Sequence, residues 1–189
     1  MSALCQFELS ILDWIQAQCH SAGADRFFSL VTHLGDGGAV WIALAVLLLL
    51  FPRTRQAGLA VALALVLDLL VCNLCLKPLL ARIRPFDLTQ VHLLIPRPGD
   101  YSFPSGHTAA SFAAAFALVF ARSRHGLWAM ALAAVIAFSR LYLYVHFPTD
   151  ILGGVAVGLL AGWLGANLAR RFTKGPRLSK FFPENVNPL

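Results

Sequence analysis

Charge is what this chain has least of. Asp, Glu, Lys and Arg make up 13% of its 189 residues, about half the share of an ordinary soluble domain. That shortage argues against a soluble globular protein. Net charge is +6, yet the basic stripe with interleaved aromatics that marks a nucleic-acid surface is missing, so no nucleic-acid partner is expected. No Lys or Arg precedes Arg26, and Glu8 and Asp13 interrupt the early apolar residues. The N-terminus therefore does not read as a secretory signal. Cysteines number four. Cys72 and Cys75 have CxxC spacing, but they sit in the apolar VCNLCL with no second ligand pair nearby and read as small hydrophobes. Cys5 and Cys19 on one helix would stand ~21 Å apart, beyond disulfide reach. No internal repeat is present.

Hydrophobic residues are abundant at 58%, and they come in blocks long enough to cross a bilayer. Spans are predicted within 27–51, whose start is blurred by LGDGG, and at 56–77, 105–121, about 127–145 and about 148–169. Before them, Leu4, Phe7, Ile11, Trp14 and Ile15 recur at helical spacing, while Gln6, Glu8, Asp13 and Gln16 fall mostly elsewhere around the helix. That pattern predicts an amphipathic interfacial helix within residues 1–25. The fold class expected is all-α: a polytopic transmembrane bundle of five to six helices, forming one domain over 1–172. Gly175, Pro176, Pro183 and Pro188 predict an irregular cytoplasmic tail over 173–189. In the fifth span Gly154, Gly158 and Gly162 recur every fourth residue, a spacing that lets helices pack closely in lipid.

The loops give an orientation. Arg53, Arg55, Arg122, Arg124, Arg170, Arg171, Lys174, Arg177 and Lys180 fall on one face, against Arg26, Lys77, Arg82, Arg84, Arg97 and Arg140 on the other. The side with more cations is expected in the cytoplasm.

Three polar clusters share the outer face. In KPLLARIRP, Lys77 and Arg84 are seven residues apart and would share a face if the helix continues, with Pro85 ending it. A snorkelling lysine beside a basic rim explains the same residues. In YSFPSGHTAAS, Ser105 is placed to cap the third span, Gly106 lets an anion approach the backbone, and His107 stands in the first turn. Taken alone, this is equally a cap with an incidental histidine. In SRLYLYVHFPTD, Pro148 predicts a bend at Phe147, leaving His146 in the turn and Asp150 in the first turn of the fifth span. A carboxylate there can hold one imidazole nitrogen and leave the other basic. Arg140 is an intramembrane charge, either functional or paired with Asp150. Three cations, a helix N-terminus, two histidines and a carboxylate on one face suit phosphoryl transfer.

In this order K-x6-R-P (77–85), P-S-G-H (104–107) and S-R-x5-H-x3-D (139–150) resemble the signature of the type 2 phosphatidic acid phosphatase family, whose site vanadium haloperoxidases share. The resemblance implies a membrane lipid-phosphate phosphatase. It implies His146 as the nucleophile forming a phosphohistidine, Asp150 as its orienting partner and His107 as the general acid. Lys77, Arg84, Ser105, Gly106 and Arg140 would hold the phosphoryl group. No metal or other cofactor is implied, and no carboxylate cluster suits Mg²⁺. The expected partners are a lipid phosphate and the surrounding membrane lipids, with the site facing the extracytoplasmic side. Undecaprenyl diphosphate is the first substrate expected, ahead of phosphatidate or phosphatidylglycerophosphate. A vanadate-dependent oxidant has no need of five spans, and a transporter would spread its polar residues over several depths. Asp68, inside the second span, and Asp36, in LGDGG, belong to none of the three motifs.

Overall fold

A computed structural model of the chain describes residues 2–174. Among these, every regular element is helical. The main helices are α1 (Ala3–Cys19), α2 (Ala22–His33), α3 (Ala39–Leu50), α4 (Arg55–Asp68), α5 (Lys77–Leu80), α6 (Gly106–Phe120), α7 (Gly126–Tyr142) and α8 (Pro148–Lys174). The helix of the last span thus reaches Lys174, and the rest of the expected tail, 175–189, lies outside the described residues.

Two helical runs are long and apolar enough to cross a membrane, Arg55–Asp87 and Pro148–Thr173. Helices α2 and α3 reach that length only as a pair bent by 48°. The bend is the LGDGG segment, where Gly37 and Gly38 take φ of 57° and 70°. That left-handed backbone is unstrained for glycine and ends the regular helix. Helices α6 and α7 are shorter apolar helices of 15 and 17 residues.

Helix α6 lies at the centre of the bundle and packs against α8, α7 and α4. The α8 glycines explain how closely. A Cβ on Gly158 would stand 2.8 Å from the Ala109 carbonyl oxygen, and one on Gly162 2.9 Å from that of Ala113. The same helix meets α4 through Gly165, whose added Cβ would lie 2.6 Å from the Ala60 carbonyl oxygen. Lipid offers no hydrophobic drive between helices, so close backbone packing of this kind holds the bundle together.

Two elements depart from the expected pattern. The second span does not continue as one α-helix to Pro85: residues Leu69–Leu76 are π-helical, α5 ends at Leu80, and Ala81 is left-handed. Pro78 has no N–H to donate four residues back, and its ring crowds the preceding turn, which favours the wider π geometry. Helix α1 turns Leu4, Phe7 and Trp14 outward, as an interfacial helix requires, but buries Ile15 together with Leu9 and Leu12 against the α7–α8 turn. Three of its polar residues also face the protein. Gln16 donates to the Tyr142 carbonyl (2.9 Å), Asp13 accepts from the Tyr144 hydroxyl (2.7 Å), and Glu8 is 1% exposed.

Candidate active site

The three polar clusters meet at one end of the bundle. Lys77 stands beside the start of α6, where a Cβ on Gly106 would lie 3.8 Å from its Nζ. Ser105 Oγ caps α6, accepting from the Thr108 hydroxyl at 3.0 Å and from its N–H at 3.5 Å. The Ser105 N–H donates to the Asp150 carbonyl at 3.1 Å, which ties the second cluster to the third. Arg84 ties the first to the third, since its Nη1 donates to the Val145 carbonyl (2.6 Å) and to His146 Nε2 (3.2 Å). Lys77 and Arg84 therefore converge although the helix joining them ends at Leu80; extended backbone, not a shared helical face, delivers Arg84.

An anion already lies on these cations. The Asp100 carboxylate accepts from Lys77 Nζ and, at 2.6 Å, from Arg84 Nη2, while Arg84 Nε donates to the Asp100 carbonyl at 2.8 Å. Partial burial would raise the Asp100 pKa, but Lys77 and Arg84 outweigh it and lower it to about 2. Nothing in the sequence marks this loop residue except its position just before YSFPSGH.

His146 is buried in the α7–α8 turn. An arginine can only donate, so Nε2 accepts from Arg84 and the ring proton sits on Nδ1. Burial, reinforced by the positive charges of Arg84, Arg140 and Lys77, holds its pKa well below 6.5, so the imidazole is neutral. Nδ1 is 3.4 Å from Asp150 Oδ2 and makes no hydrogen bond.

Asp150 is instead engaged by three other donors: Ser102 Oγ (2.5 Å), the Phe147 N–H (2.8 Å) and Arg82 Nη1 (2.6 Å). Its ion pair is with Arg82, not Arg140. Arg82 continues to Glu8 at 2.6 Å, and Glu8 also accepts from the Thr149 hydroxyl and N–H. A helix read as interfacial thus sends a buried carboxylate to the support of Asp150. Removing one member of such a buried charge network strands the others, at about 3–5 kcal/mol.

Arg140 hydrogen-bonds Thr32 of α2. Beyond Thr32, the LGDGG bend brings Asp36 to His107, with Nε2 donating to Oδ1 at 2.9 Å. Asp68 is buried in α4 with Oδ1 unpartnered, and the motif residues make no hydrogen bond to it. Six polar side chains of the site were not named by any motif: Glu8, Thr32, Asp36, Arg82, Asp100 and Ser102.

Residues 56–174 match the model of the PAP2 superfamily. Over 140 residues, 72% of this chain and 66% of the relative, the sequence is 33% identical to an undecaprenyl-diphosphatase of Sulfolobus acidocaldarius. The fold matches the crystal structure of Aquifex aeolicus LpxE with a TM-score of 0.74 at 29% identity, covering 84% of this chain and 94% of that one. It also matches a transmembrane PAP2-type phosphatidylglycerolphosphate phosphatase from Bacillus subtilis with a TM-score of 0.71 at 26% identity, covering 92% of this chain and 90% of that one.

Proposed function

From the premise that this chain belongs to the PAP2 superfamily, we propose that it is a membrane phosphatase cleaving a lipid phosphate through a phosphohistidine, with residues 1–172 acting as one unit. The observation that carries this is the Asp100 carboxylate, gripped by Lys77 and Arg84 with His146 Nε2 at 3.2 Å from the same guanidinium. A carboxylate there stands in for the equatorial oxygens of a phosphoryl group.

Substrate binding displaces Asp100 and draws Arg84 onto the phosphate, which frees the Nε2 lone pair. Nε2 then attacks phosphorus, the bond from phosphorus to the leaving oxygen breaks, and His107 donates its proton to that oxygen. Lys77, Arg84, Arg140, the Ser105 hydroxyl and the Gly106 N–H at the start of α6 offset the charge on the equatorial oxygens. In the second half, His107 takes a proton from water as that water attacks the phosphohistidine. Phosphate leaves and neutral His146 is restored. Asp150 stabilises the charge that His146 gains, its own orientation fixed by Arg82, Ser102 and the Phe147 N–H.

Undecaprenyl diphosphate is the first candidate substrate, a reading favoured by the Sulfolobus relative's activity. Phosphatidylglycerophosphate, the substrate type of the Bacillus structural match, and phosphatidate follow. The site is assigned to the extracytoplasmic face because the larger set of cations lies on the opposite side. Phosphate release from a panel of lipid phosphates, with EDTA present and His146→Ala as control, tests the reading. Release that requires His146 and persists in EDTA supports it, and the fastest lipid identifies the class. Robust release by His146→Ala removes the nucleophile.

A further inference from the structure

The LGDGG bend is assigned no role by the three motifs, yet it is built against one of their residues. Gly35 packs on the His107 ring so tightly that a Cβ there would stand 2.6 Å from Cδ2. Gly37 and Gly38 hold left-handed backbone that lets the chain bend between α2 and α3. The one charged residue of the bend, Asp36, projects its carboxylate onto His107 Nε2 at 2.9 Å and receives His33 Nδ1 on its other oxygen at 2.7 Å. Elsewhere around His107 the charges are positive, from Arg140 and Lys77. A histidine that must carry a proton into the transition state is opposed by those cations. Asp36 is the anion that answers them.

We propose that Asp36 is the positioning residue of His107: it accepts Nε2–H, fixes the ring, and leaves Nδ1 to pass the proton to and from the reacting oxygen. This rests on the phosphatase reading above. When the bond from phosphorus to the leaving oxygen breaks, the proton on Nδ1 goes to that oxygen, and the neutral ring keeps its Nε2–H on Asp36. When water attacks the phosphohistidine, Nδ1 takes the proton back, and the imidazolium is again stabilised by Asp36. His33 is more than half exposed and holds the far oxygen of Asp36, so the carboxylate keeps its orientation while His107 changes charge.

The test uses the full chain in detergent and two substrates that differ in their need for an acid: dioctanoyl phosphatidate, with an alkoxide leaving group, and p-nitrophenyl phosphate, with a stable phenolate. kcat/KM is compared, because it reports the step that forms the phosphohistidine. In Asp36→Asn, kcat/KM for phosphatidate is expected to fall on the order of 30-fold and that for the aryl ester by less than ~3-fold, the range of an outer partner acting through a general acid. In a His107→Ala background the same substitution should change neither rate further. Loss of material or of folded fraction lowers both rates together and cannot produce the split. An unchanged ratio in Asp36→Asn overturns the proposal, and Asp36→Ser applies the same criterion should the Asn variant not fold. A wild-type chain that releases phosphate from neither ester, nor from undecaprenyl diphosphate, would instead sink the phosphatase reading itself.

Discussion

The site holds two histidines with a carboxylate beside each, and they are arranged in opposite ways. His146 and Asp150 are 1% and 0% exposed, and they stand 3.4 Å apart without a hydrogen bond. His107 and Asp36 are 19% and 56% exposed and bond directly at 2.9 Å. In the buried pair the carboxylate is satisfied by three other donors, so in the proposed mechanism it contributes charge at a fixed place while the neutral histidine attacks. In the open pair the carboxylate has only histidines for hydrogen-bond partners among the described residues, and the ring it holds is the one proposed to gain and lose a proton. The same two residue types are set to different tasks by burial and by what else the carboxylate binds.

The largest effect that would sharpen this contrast is at His146 itself. His146→Ala should lower turnover by on the order of 10³-fold or more while the protein still folds in detergent, with phosphate release as the readout. Near-normal turnover would erase the distinction between the two histidines.

Next comes Asp150→Asn, expected to cost about 100-fold in kcat, because the amide cannot stabilise the charge His146 gains and leaves Arg82 with Glu8 as its carboxylate partner. If the substitution lowered only the melting temperature, Asp150 would be a structural anchor alone.

Glu8→Gln should be milder, about 10-fold in kcat, since it acts through Arg82 on Asp150 across 2.6 Å contacts. Turnover unaffected by that change would uncouple α1 from the site.

The smallest expected change is with pH. His146 is held well below 6.5 by burial and by Arg84, Arg140 and Lys77, with His107 adding to them. It therefore stays neutral, and competent to attack, as pH falls through 6.5. The acidic limb of kcat/KM should lie well under that value. Stability follows the other side of the linkage: the unfolded chain takes up a proton near 6.5 that the folded one refuses, so stability declines as pH drops below it. Asp100, with a folded pKa of about 2, stays ionised across an assay from pH 5 to 9, and its grip on Lys77 and Arg84 loosens only as pH falls through about 2. An acidic limb centred at 6.5 or above would place the buried pair on the same footing as the open one.

Much of the site was legible because its residues recur at fixed short spacings. Lys77, Arg84, Ser105, Gly106, His107, Arg140, His146 and Asp150 all lie within three motifs, and the structure brings all three motifs to one end of the bundle. The helix ends were legible where a local chemical cause existed, as at Ser105 before α6 and Pro148 at the start of α8. The π-helical stretch before Pro78 was not, because a proline signals a disturbed helix without saying how the preceding turns relax.

What the sequence by itself determined is the helical membrane bundle, the family to which the chain belongs and the three motifs that hold the eight residues proposed for its chemistry. Hydrophobic runs and short motif spacings are local properties, readable along one chain. What only the tertiary structure decided is which charge answers which: Asp150 with Arg82 rather than Arg140, Glu8 of the first helix behind both, Asp100 on Lys77 and Arg84, and Asp36 on His107. Partners such as Glu8 and Arg82, or Asp36 and His107, stand more than seventy residues apart in the chain. A hydrogen bond is decided by a few tenths of an ångström between side chains that only the packed helices bring together, and no periodicity in the sequence encodes that distance.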